Sequence, residues 1–460
     1  MYLFKEAEME KLFKLQERGT TVRKEIAAGF TTFVTMAYIL AVNPSILAET
    51  GMDPTAVMLA TCLASFIGTM MMAIFANLPF ALSAGMGLNA YFTYTVVFQY
   101  GYSWQIALLA VFTEGIIFIL LSLTNVREAI FNCIPLVLKK SVSIGIGIFI
   151  AFIGLQNAKL CVSSATLVSL VDFKGNFATI GVTAMMAVIG LFIMIILYLK
   201  KIPGAILWGI LLTWLFGILF EVLGVYQPDP ENGFQSIIPT LHLPNFATMG
   251  ETFGQCFHVN LKDVGVTNFI VVILAFLFVD LFDTLGTLIG VSSKANMLDE
   301  NGKLPGIKPA LLADAVATTA GAVMGTSTTT TFVESAAGVG AGGRTGLTAA
   351  VTAVLFLIST LFSSVFTAIP PFATAPALIL VGFLMFSSIS ELKMDEENYT
   401  DAIPAYLCII SMPLFYSISD GIAIGVISYV FINAVCGKAK KISPLMYVLA
   451  VLFLLKYTIL

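Results

Sequence analysis

Charged residues are scarce in this chain. Asp, Glu, Lys and Arg make up 11% of its 460 residues, whereas a soluble domain carries about 25%. Histidine and tryptophan are rarer, with two and three residues, and the six cysteines show no metal-ligand spacing. What is abundant is apolar: 58% of the residues are hydrophobic, and the mean hydropathy is +0.96. The composition is that of an integral membrane protein, and it predicts neither a metal site nor another cofactor.

The apolar residues gather into stretches of roughly 20, the length that a helix needs to cross a bilayer. Fourteen spans are predicted, seven on each side of a polar loop, in an all-α polytopic fold. The first seven are about 25–47, 55–77, 81–99, 104–124, 139–157, 177–199 and 203–225. The second seven are about 264–292, 308–325, 328–343, 346–369, 373–391, 402–417 and 419–436. A further apolar stretch, 443–459, reads either as a fifteenth crossing or as an interfacial helix.

The basic residues indicate the orientation of these spans, because Lys and Arg concentrate in cytoplasmic loops. With the N-terminus inside, 19 Lys and Arg fall in inside segments, and three fall outside, namely Lys159, Lys174 and Lys262. Removing any one internal span would reverse every later loop and destroy this asymmetry. The sequence therefore predicts a cytoplasmic N-terminus and an outside loop between spans 7 and 8.

An odd number of spans in each half puts the halves in opposite orientations, which is the inverted repeat of many secondary transporters. Residues 1–24 have no apolar core of a signal peptide and are predicted to form a cytoplasmic segment. The first repeat is predicted at 25–225 and the second at 264–436, with an extracellular loop between them at 226–263. Residues 437–460 are predicted to form a basic turn and the last apolar segment.

The third span of each half differs from its neighbours. Span 3 contains Gly85 and Gly87, and span 10 combines the run Thr328 to Thr331 with Glu334 and four glycines. Threonine favours extended backbone, and glycine interrupts helices. Both are therefore predicted to be broken spans, each a short extended piece followed by a half-helix. Broken spans at corresponding positions of two repeats indicate a binding site at the middle of the membrane.

Two spans carry carboxylates at mid-depth: Asp280 and Asp283 in span 8, and Glu334 in span 10. A charge near the bilayer centre costs several kcal/mol, so it faces a protein interior or a wet cavity and marks an ion, proton or substrate site. Asp280 and Asp283 are three residues apart and share a helix face. The pattern points to transport. Glu114 and Asp314 also lie within spans, where a structural role is an alternative to a functional one.

The groups predicted near the site suit a small planar heterocycle. Half-helices that begin near Gly87 and Glu334 offer free backbone N–H groups. Carboxylates accept hydrogen bonds from ring N–H groups, and the amide of Asn89 can both donate and accept. Three aromatic residues are candidates to stack on a flat ring: Phe278, Phe282 and Phe332.

At these residues the chain resembles a known family. The stretches that carry the resemblance are Ala28 to Leu40 (AGFTTFVTMAYIL), Asn43-Pro44, Ala84 to Phe92 (AGMGLNAYF), Gly154 to Ala158 (GLQNA), Asp280 to Thr287 (DLFDTLGT) and Glu334-Ser335 with its glycines. Together they resemble the AzgA-like purine permeases, a branch of the nucleobase–cation symporter superfamily that includes the uracil and xanthine permeases. The similarity runs nearly from end to end.

The resemblance implies two inverted repeats of seven spans, split into a core domain and a gate domain, with short strands in spans 3 and 10 and substrate between them. It assigns the carboxylate of span 8 to Asp283, that of span 10 to Glu334 and the contact from span 3 to Asn89, beside Gly87. Thr287 stands where relatives carry a titratable side chain. The predicted substrate-binding residues are Asn89, Asp283, Glu334, Gly87, Phe332, Ser335 and Phe282. The candidates for proton coupling are Asp283, Glu334, Asp280 and Glu114.

The sequence therefore predicts a transporter that is not an enzyme and that imports purine bases such as hypoxanthine, guanine and adenine. Proton symport by alternating access in a bacterial plasma membrane is expected. The predicted partners are the purine and the lipid bilayer, without nucleic acid, and a homodimer is compatible with the resemblance. An anion exchanger would require basic residues at the half-helices. A membrane enzyme would require a nucleophile–base pair or metal ligands at depth, and a passive channel would not require acids placed to titrate.

Overall fold

The computed structural model describes residues 10–123, 134–165, 167–174, 176–229, 234–239, 244–259, 265–294, 297–299 and 304–459. Lys262 lies outside the described residues, and the predicted segments 1–24, 226–263 and 437–460 are described in part. Within the described residues, 11 helices are long and apolar enough to cross a membrane. They are Val22–Thr50, Pro54–Ala76, Trp104–Leu123, Leu136–Asn157, Phe177–Leu199, Ala205–Val222, Asn268–Ser292, Ile307–Met324, Gly346–Thr367, Pro371–Glu391 and Ile418–Val435. They coincide with the predicted spans 1, 2, 4 to 9, 11, 12 and 14.

The three other predicted spans are shorter or interrupted. Span 13 is the helix Tyr399–Leu414, which contains two prolines, Pro404 and Pro413. Proline removes a hydrogen-bond donor and bends a helix, and membrane helices tolerate it where neighbouring elements satisfy the freed backbone groups. Spans 3 and 10 are broken, as predicted. The predicted fold of fourteen spans in two repeats of seven is confirmed.

Each broken span starts with a short strand. Span 3 has the strand Leu82–Ala84, then the helix Met86–Ala90 and a π-helical segment, Tyr91–Gln99. Span 10 has the strand Thr329–Thr331 and then the helix Ser335–Gly340. The two strands pair antiparallel, with Leu82 opposite Thr331, and both are buried. The pairing satisfies backbone groups that a strand facing lipid would leave unbonded.

The packing of the spans repeats across the two halves. Span 1 packs against span 11, and span 8, the counterpart of span 1, packs against span 4. Span 6 packs against span 7, and likewise span 13 packs against span 14, while span 5 packs against its own counterpart, span 12. Spans 1 to 4 and 8 to 11 thus form a core domain around the strand pair. Spans 5 to 7 and 12 to 14 form the gate domain.

Spans 5 and 12 approach closely in the gate domain at a pair of glycines. A Cβ atom at Gly147 would lie 2.6 Å from the carbonyl oxygen of Gly382, and a Cβ atom at Gly382 would collide with the backbone at Gly147. Small residues allow membrane helices to pack backbone against backbone. The glycine pair therefore allows spans 5 and 12 to cross with their backbones in contact.

The C-terminal apolar stretch forms the helix Pro444–Ile459, which packs against span 14. The hydroxyl of Tyr457 donates a hydrogen bond of 2.7 Å to Asp420 in span 14. Phe453 of the same helix lines an apolar pocket together with Phe278 and Phe282 of span 8. A short hairpin of the strands Cys161–Ser164 and Leu167–Leu170 follows span 5.

Candidate functional site at the two broken spans

Glu334 stands at the start of the half-helix of span 10. It immediately precedes the helix Ser335–Gly340, and its side chain is half-buried. The hydroxyl of Tyr38 donates a hydrogen bond of 2.6 Å to Glu334 Oε1. The carboxylate therefore lies at the end of the half-helix where backbone N–H groups lack partners within the helix.

Asp283 lies beside the start of the other half-helix, that of span 3. It is half-buried on span 8, in the helix Val266–Lys294. A Cβ atom at Gly85, the residue before the helix Met86–Ala90, would lie 3.4 Å from Asp283 Oδ2. Asp283 also interacts electrostatically with Glu334. The structure thus brings the two predicted acids to the starts of the two half-helices, in range of each other.

Tyr38 joins these groups, although the sequence reasoning assigned it no role. Within the helical span Val22–Thr50, a turn at Ala37 and Tyr38 interrupts the α-helical hydrogen bonds between Val22–Met36 and Ile39–Leu47, although both residues keep helical backbone angles. We call this turn the break of span 1, and Tyr38 lies in it. Its side chain is only 1% exposed, and its hydroxyl lies 3.9 Å from the sulfur of Met86 as well as 2.6 Å from Glu334. A tyrosine hydroxyl in an apolar span needs a polar partner. That requirement was the available sequence signal, and it was missed.

Asp280 has neighbours different from those of Asp283. Its side chain is fully buried, and Thr284 Oγ1 lies 3.0 Å from Asp280 Oδ1. The same hydroxyl lies 2.8 Å from Asp314 Oδ1 and 2.7 Å from Thr330 Oγ1. Asp280 therefore belongs to a buried cluster that ties span 8 to span 9 and to the strand of span 10.

Asn89 and Glu114 lie in a buried polar layer at the beginning of span 10. Ser327 Oγ donates a hydrogen bond to Asn89 Oδ1. Thr328 Oγ1 donates to Glu114 Oε2 at 2.7 Å. Both Asn89 and Glu114 are fully buried. Within the described part of the chain, no hydrogen-bond partner reaches Asn89 Nδ2. The amide of Asn89 thus retains a donor.

Two of the remaining predicted site residues support the turn into the span 10 half-helix. Ser335 Oγ accepts a hydrogen bond of 3.0 Å from the backbone N–H of Ala81, just before the span 3 strand. The N–H of Phe332 donates to the carbonyl oxygen of Ala81 at 3.0 Å, and the Phe332 side chain is 6% exposed. These bonds extend the pairing between spans 3 and 10 by one step at the end next to Glu334.

Gly87 and Phe282 face the gate domain. A Cβ atom at Gly87 would lie 2.8 Å from Ile146 Cγ2 on span 5. Phe282 and Phe278 line the apolar pocket beside the C-terminal helix, with Cys408 of span 13 among its walls. Across the described ranges, no group of three or more His, Cys, Asp or Glu side chains is arranged to hold a metal ion.

A comparison with protein families decides what kind of protein carries this site. The Xan_ur_permease sequence model, described as Permease family, matches residues 23–424. The chain belongs to the permease family. The match includes the first predicted repeat, the second as far as residue 424, and both acids of the candidate site. The family resemblance predicted from the sequence is confirmed.

Two relatives extend the similarity over nearly the whole permease. The guanine/hypoxanthine permease PbuO of Bacillus subtilis is 43% identical over 457 residues, which cover 98% of this chain and 100% of PbuO. The adenine permease AdeQ of Escherichia coli is 40% identical over 452 residues, which cover 97% of this chain and 96% of AdeQ. The permease is thus a multi-pass membrane transporter similar to these proteins along its full length.

Solved structures share its fold. The transmembrane domain of a cyanobacterium bicarbonate transporter, BicA, matches the permease with a TM-score of 0.60 and 17% identity. The match covers 88% of the permease and 97% of that domain. At this identity the likeness concerns the fold alone, and it agrees with the two inverted repeats of seven spans.

Proposed function

We propose that the permease imports purine bases, with hypoxanthine, guanine and adenine as substrates. The observation that carries the proposal is the position of Asp283 and Glu334 at the starts of the two half-helices. All three bases present ring N–H groups, and guanine and adenine add exocyclic N–H groups; both kinds are donors for carboxylates. The names of the two relatives, a guanine/hypoxanthine permease and an adenine permease, support the same substrate class.

In this proposal the purine lies between the two broken spans. Asp283 and Glu334 accept hydrogen bonds from its N–H groups, and Asn89 donates from Nδ2 to a ring acceptor, which is supported by the unpartnered state of that atom among the described residues. Phe332, next to Glu334, is the proposed aromatic neighbour. Contacts of the purine with Gly87, Ser335 and Phe282 stay predictions. Gly87 packs against span 5, Ser335 is hydrogen-bonded to Ala81, and Phe282 lines the apolar pocket.

We further propose proton symport by alternating access, in which the core domain moves against the gate domain. The coupling candidates are Asp283, Glu334, Asp280 and Glu114. All four are buried or half-buried acids of the core domain, where a change of charge alters the free energy of each conformation strongly. Asp283 is favoured because it combines partial exposure with nearness to both half-helices.

The fold likeness to a bicarbonate transporter raises anion transport as a second class of function. An anion at this site would need positive side chains, but residues 80–100 and 328–343 contain no Lys or Arg. Two carboxylates at the site would repel it. The site chemistry therefore favours an uncharged substrate with N–H donors over an anion.

The testing experiment is uptake of radiolabelled hypoxanthine by cells that lack their own purine transporters. We expect unlabelled guanine and adenine to compete, and uracil, bicarbonate and sulfate not to compete. A protonophore should abolish accumulation. Competition by bicarbonate or sulfate with no competition by purines would overturn the purine proposal, while purine uptake that ignores the protonophore would overturn only the proton coupling.

For the membrane topology we propose a plasma-membrane protein with a cytoplasmic N-terminus and an external 226–263 loop, from the distribution of basic residues. Ile238 in that loop is 48% exposed. A cysteine placed there should react with an impermeant maleimide on intact cells. Labelling that requires permeabilised cells would reverse the proposed orientation.

A further inference from the structure

We propose that Tyr38 is a specificity-determining residue that acts through Glu334, by occupying one oxygen of its carboxylate and leaving the other to the substrate. The inference rests on the proposed purine transport and adds a rule for discriminating among purines. It concerns a residue that lies outside the predicted set of site residues and belongs to a span that the substrate proposal does not otherwise use.

The first support is the geometry of the hydrogen bond. The distance between the Tyr38 hydroxyl and Glu334 Oε1 is 2.6 Å. This lies in the range of charge-assisted O–H···O⁻ bonds, which are about twice as strong as neutral ones. The hydroxyl has a single hydrogen, so its contact with the Met86 sulfur at 3.9 Å does not compete. The carboxylate oxygen is the stronger acceptor, so the hydroxyl hydrogen is bonded to Glu334 Oε1.

The second support is the way in which the backbone of span 1 positions the Tyr38 side chain. Span 1 interrupts its helix only at Ala37 and Tyr38 between Val22–Met36 and Ile39–Leu47. The break sets the ring, 1% exposed, between the first residue of one half-helix, Met86, and the residue before the other, Glu334. Tyr38 is also within electrostatic range of Asp283. A packing role alone would be met by phenylalanine, which needs no partner for a hydroxyl.

The consequence for the substrate follows from counting donors and acceptors. An ionised carboxylate offers two oxygens side by side and can accept two parallel N–H bonds. Because Tyr38 already occupies one lone pair of Oε1, that oxygen is the weaker acceptor for a second donor, and Glu334 offers mainly Oε2. On the side of the six-membered ring that carries N1 and C2, hypoxanthine presents one N–H, the N1–H. Guanine presents the N1–H and the amino group on the adjacent C2. Tyr38 thus removes an advantage that guanine would otherwise have over hypoxanthine.

The test compares two substrates in one variant, Tyr38→Phe, which removes only the hydroxyl. The freed carboxylate must be ordered on binding, so the KM for hypoxanthine should rise about three- to tenfold. The KM for guanine should rise less, because the amino group of guanine can donate to Glu334 Oε1 once Tyr38 no longer does. The ratio of the two KM values should therefore move at least about threefold toward guanine, with little change in the maximal rate.

The control variant is Tyr226→Phe. Tyr226 is also buried, at 3% exposure, and its hydroxyl donates a bond of 2.7 Å to the carbonyl oxygen of Gln235, away from the broken spans. Tyr226→Phe also removes one hydroxyl and one hydrogen bond to an oxygen. The ratio of the KM values for hypoxanthine and guanine should therefore stay at the wild-type value. If Tyr38→Phe is not produced in the membrane, Tyr38→Met replaces it, because it also removes the hydroxyl, its flexible apolar side chain can fill the space and Glu334 is left intact. The same shift toward guanine is expected.

The outcomes separate the two proposals. A wild-type protein that takes up neither base overturns the purine proposal and this inference with it. A wild-type protein that takes up both bases, with KM values that change by the same factor in the Tyr38 variant, overturns the inference and leaves purine transport intact. A fall in the maximal rate alone, with both KM values unchanged, also overturns the inference.

Discussion

Two tyrosine–glutamate hydrogen bonds involve span 1, one at its break and one at its C-terminal end, which the proposed topology places outside. At the break, Tyr38 donates to Glu334 at 2.6 Å, and both residues belong to the core domain. At the outer end, Tyr94 of span 3 donates to Glu49 at 2.9 Å. The two pairs have the same chemistry and nearly the same length, but they differ in what surrounds them.

The outer pair also lies within the core domain, but it is hydrogen-bonded across the boundary to the gate domain. Asn157, at the end of span 5 in the gate domain, donates to Glu49 Oε1 at 3.1 Å and to the Tyr94 hydroxyl at 3.3 Å. A bond within the core domain moves with that domain, whereas a bond across the boundary must break when the domains move apart. The comparison teaches that position relative to the boundary, and not bond chemistry, distinguishes a site pair from a domain contact.

The largest expected effect breaks the inner pair. Glu334→Gln should lower purine uptake about a hundredfold, because the amide places a donor where Tyr38 and the purine both need an acceptor. The measurement is hypoxanthine uptake, normalised to the amount of protein in the membrane. The matched control is Glu49→Gln, the same chemical change in the outer pair, which should keep the KM within about twofold. Equal losses in the two variants would contradict the distinction between the pairs.

A second effect separates binding from coupling at the inner site. Asp283→Asn should abolish uphill accumulation of purine, because an amide does not carry the proton, while exchange of internal for external purine continues at a reduced rate. Accumulation and exchange are measured on the same cells, with and without a protonophore. Accumulation by this variant that still collapses with the protonophore would rule out Asp283 as the only coupling group.

A smaller effect is expected at the outer pair. Asn157→Ala removes both hydrogen bonds from the gate domain to the Tyr94–Glu49 pair, so the contact between the domains weakens on that side. We expect the maximal rate to change about two- to fivefold, with the KM for hypoxanthine unchanged. Hydrogen–deuterium exchange should rise at residues 46–50 and 154–158. Unchanged exchange there would show that the outer pair does not hold the domains together.

The smallest effect on uptake is expected at Glu25, a fully buried glutamate away from both pairs. Glu25 accepts hydrogen bonds from the Arg344 backbone N–H at 2.8 Å and from the Thr345 and Thr348 hydroxyls at 2.9 and 2.6 Å. It thereby fixes the start of span 11 to span 1. Glu25→Gln leaves at least one of these donors unmatched, at a cost of about 1–3 kcal/mol in the free energy of unfolding. A lower unfolding temperature of the purified protein with an unchanged KM is expected, and a raised KM would place Glu25 in the transport site instead.

Much of the fold could be predicted because the membrane makes the relation between sequence and structure local. Each span can be recognised as a run of apolar residues whose length is set by the thickness of the bilayer. The breaks in spans 3 and 10 were visible as threonine and glycine runs, and they became paired strands. The break in span 1 was not visible, because the residues around Tyr38 are apolar and contain neither glycine nor proline next to it.

The candidate acids could also be found in the sequence, since charge at mid-depth is costly wherever it lies. Their partners could not. Asp280 and Asp283 share a helix face by spacing, yet three residues advance a helix by about 300°, so their directions differ by roughly 60°. That angle puts Asp280 beside Thr284 in a closed cluster and Asp283 beside Gly85.

By itself, then, the sequence determined the number of spans, the inverted repeats and the presence of carboxylates at depth, because each follows from how a segment partitions between lipid and water. Only the tertiary structure decided that Tyr38 meets Glu334, 296 residues away, and that the amide of Asn89 meets Ser327. Such contacts depend on which helices pack together and at what rotation. That choice is made by side chains fitting across helix surfaces, and no local pattern of hydropathy records it.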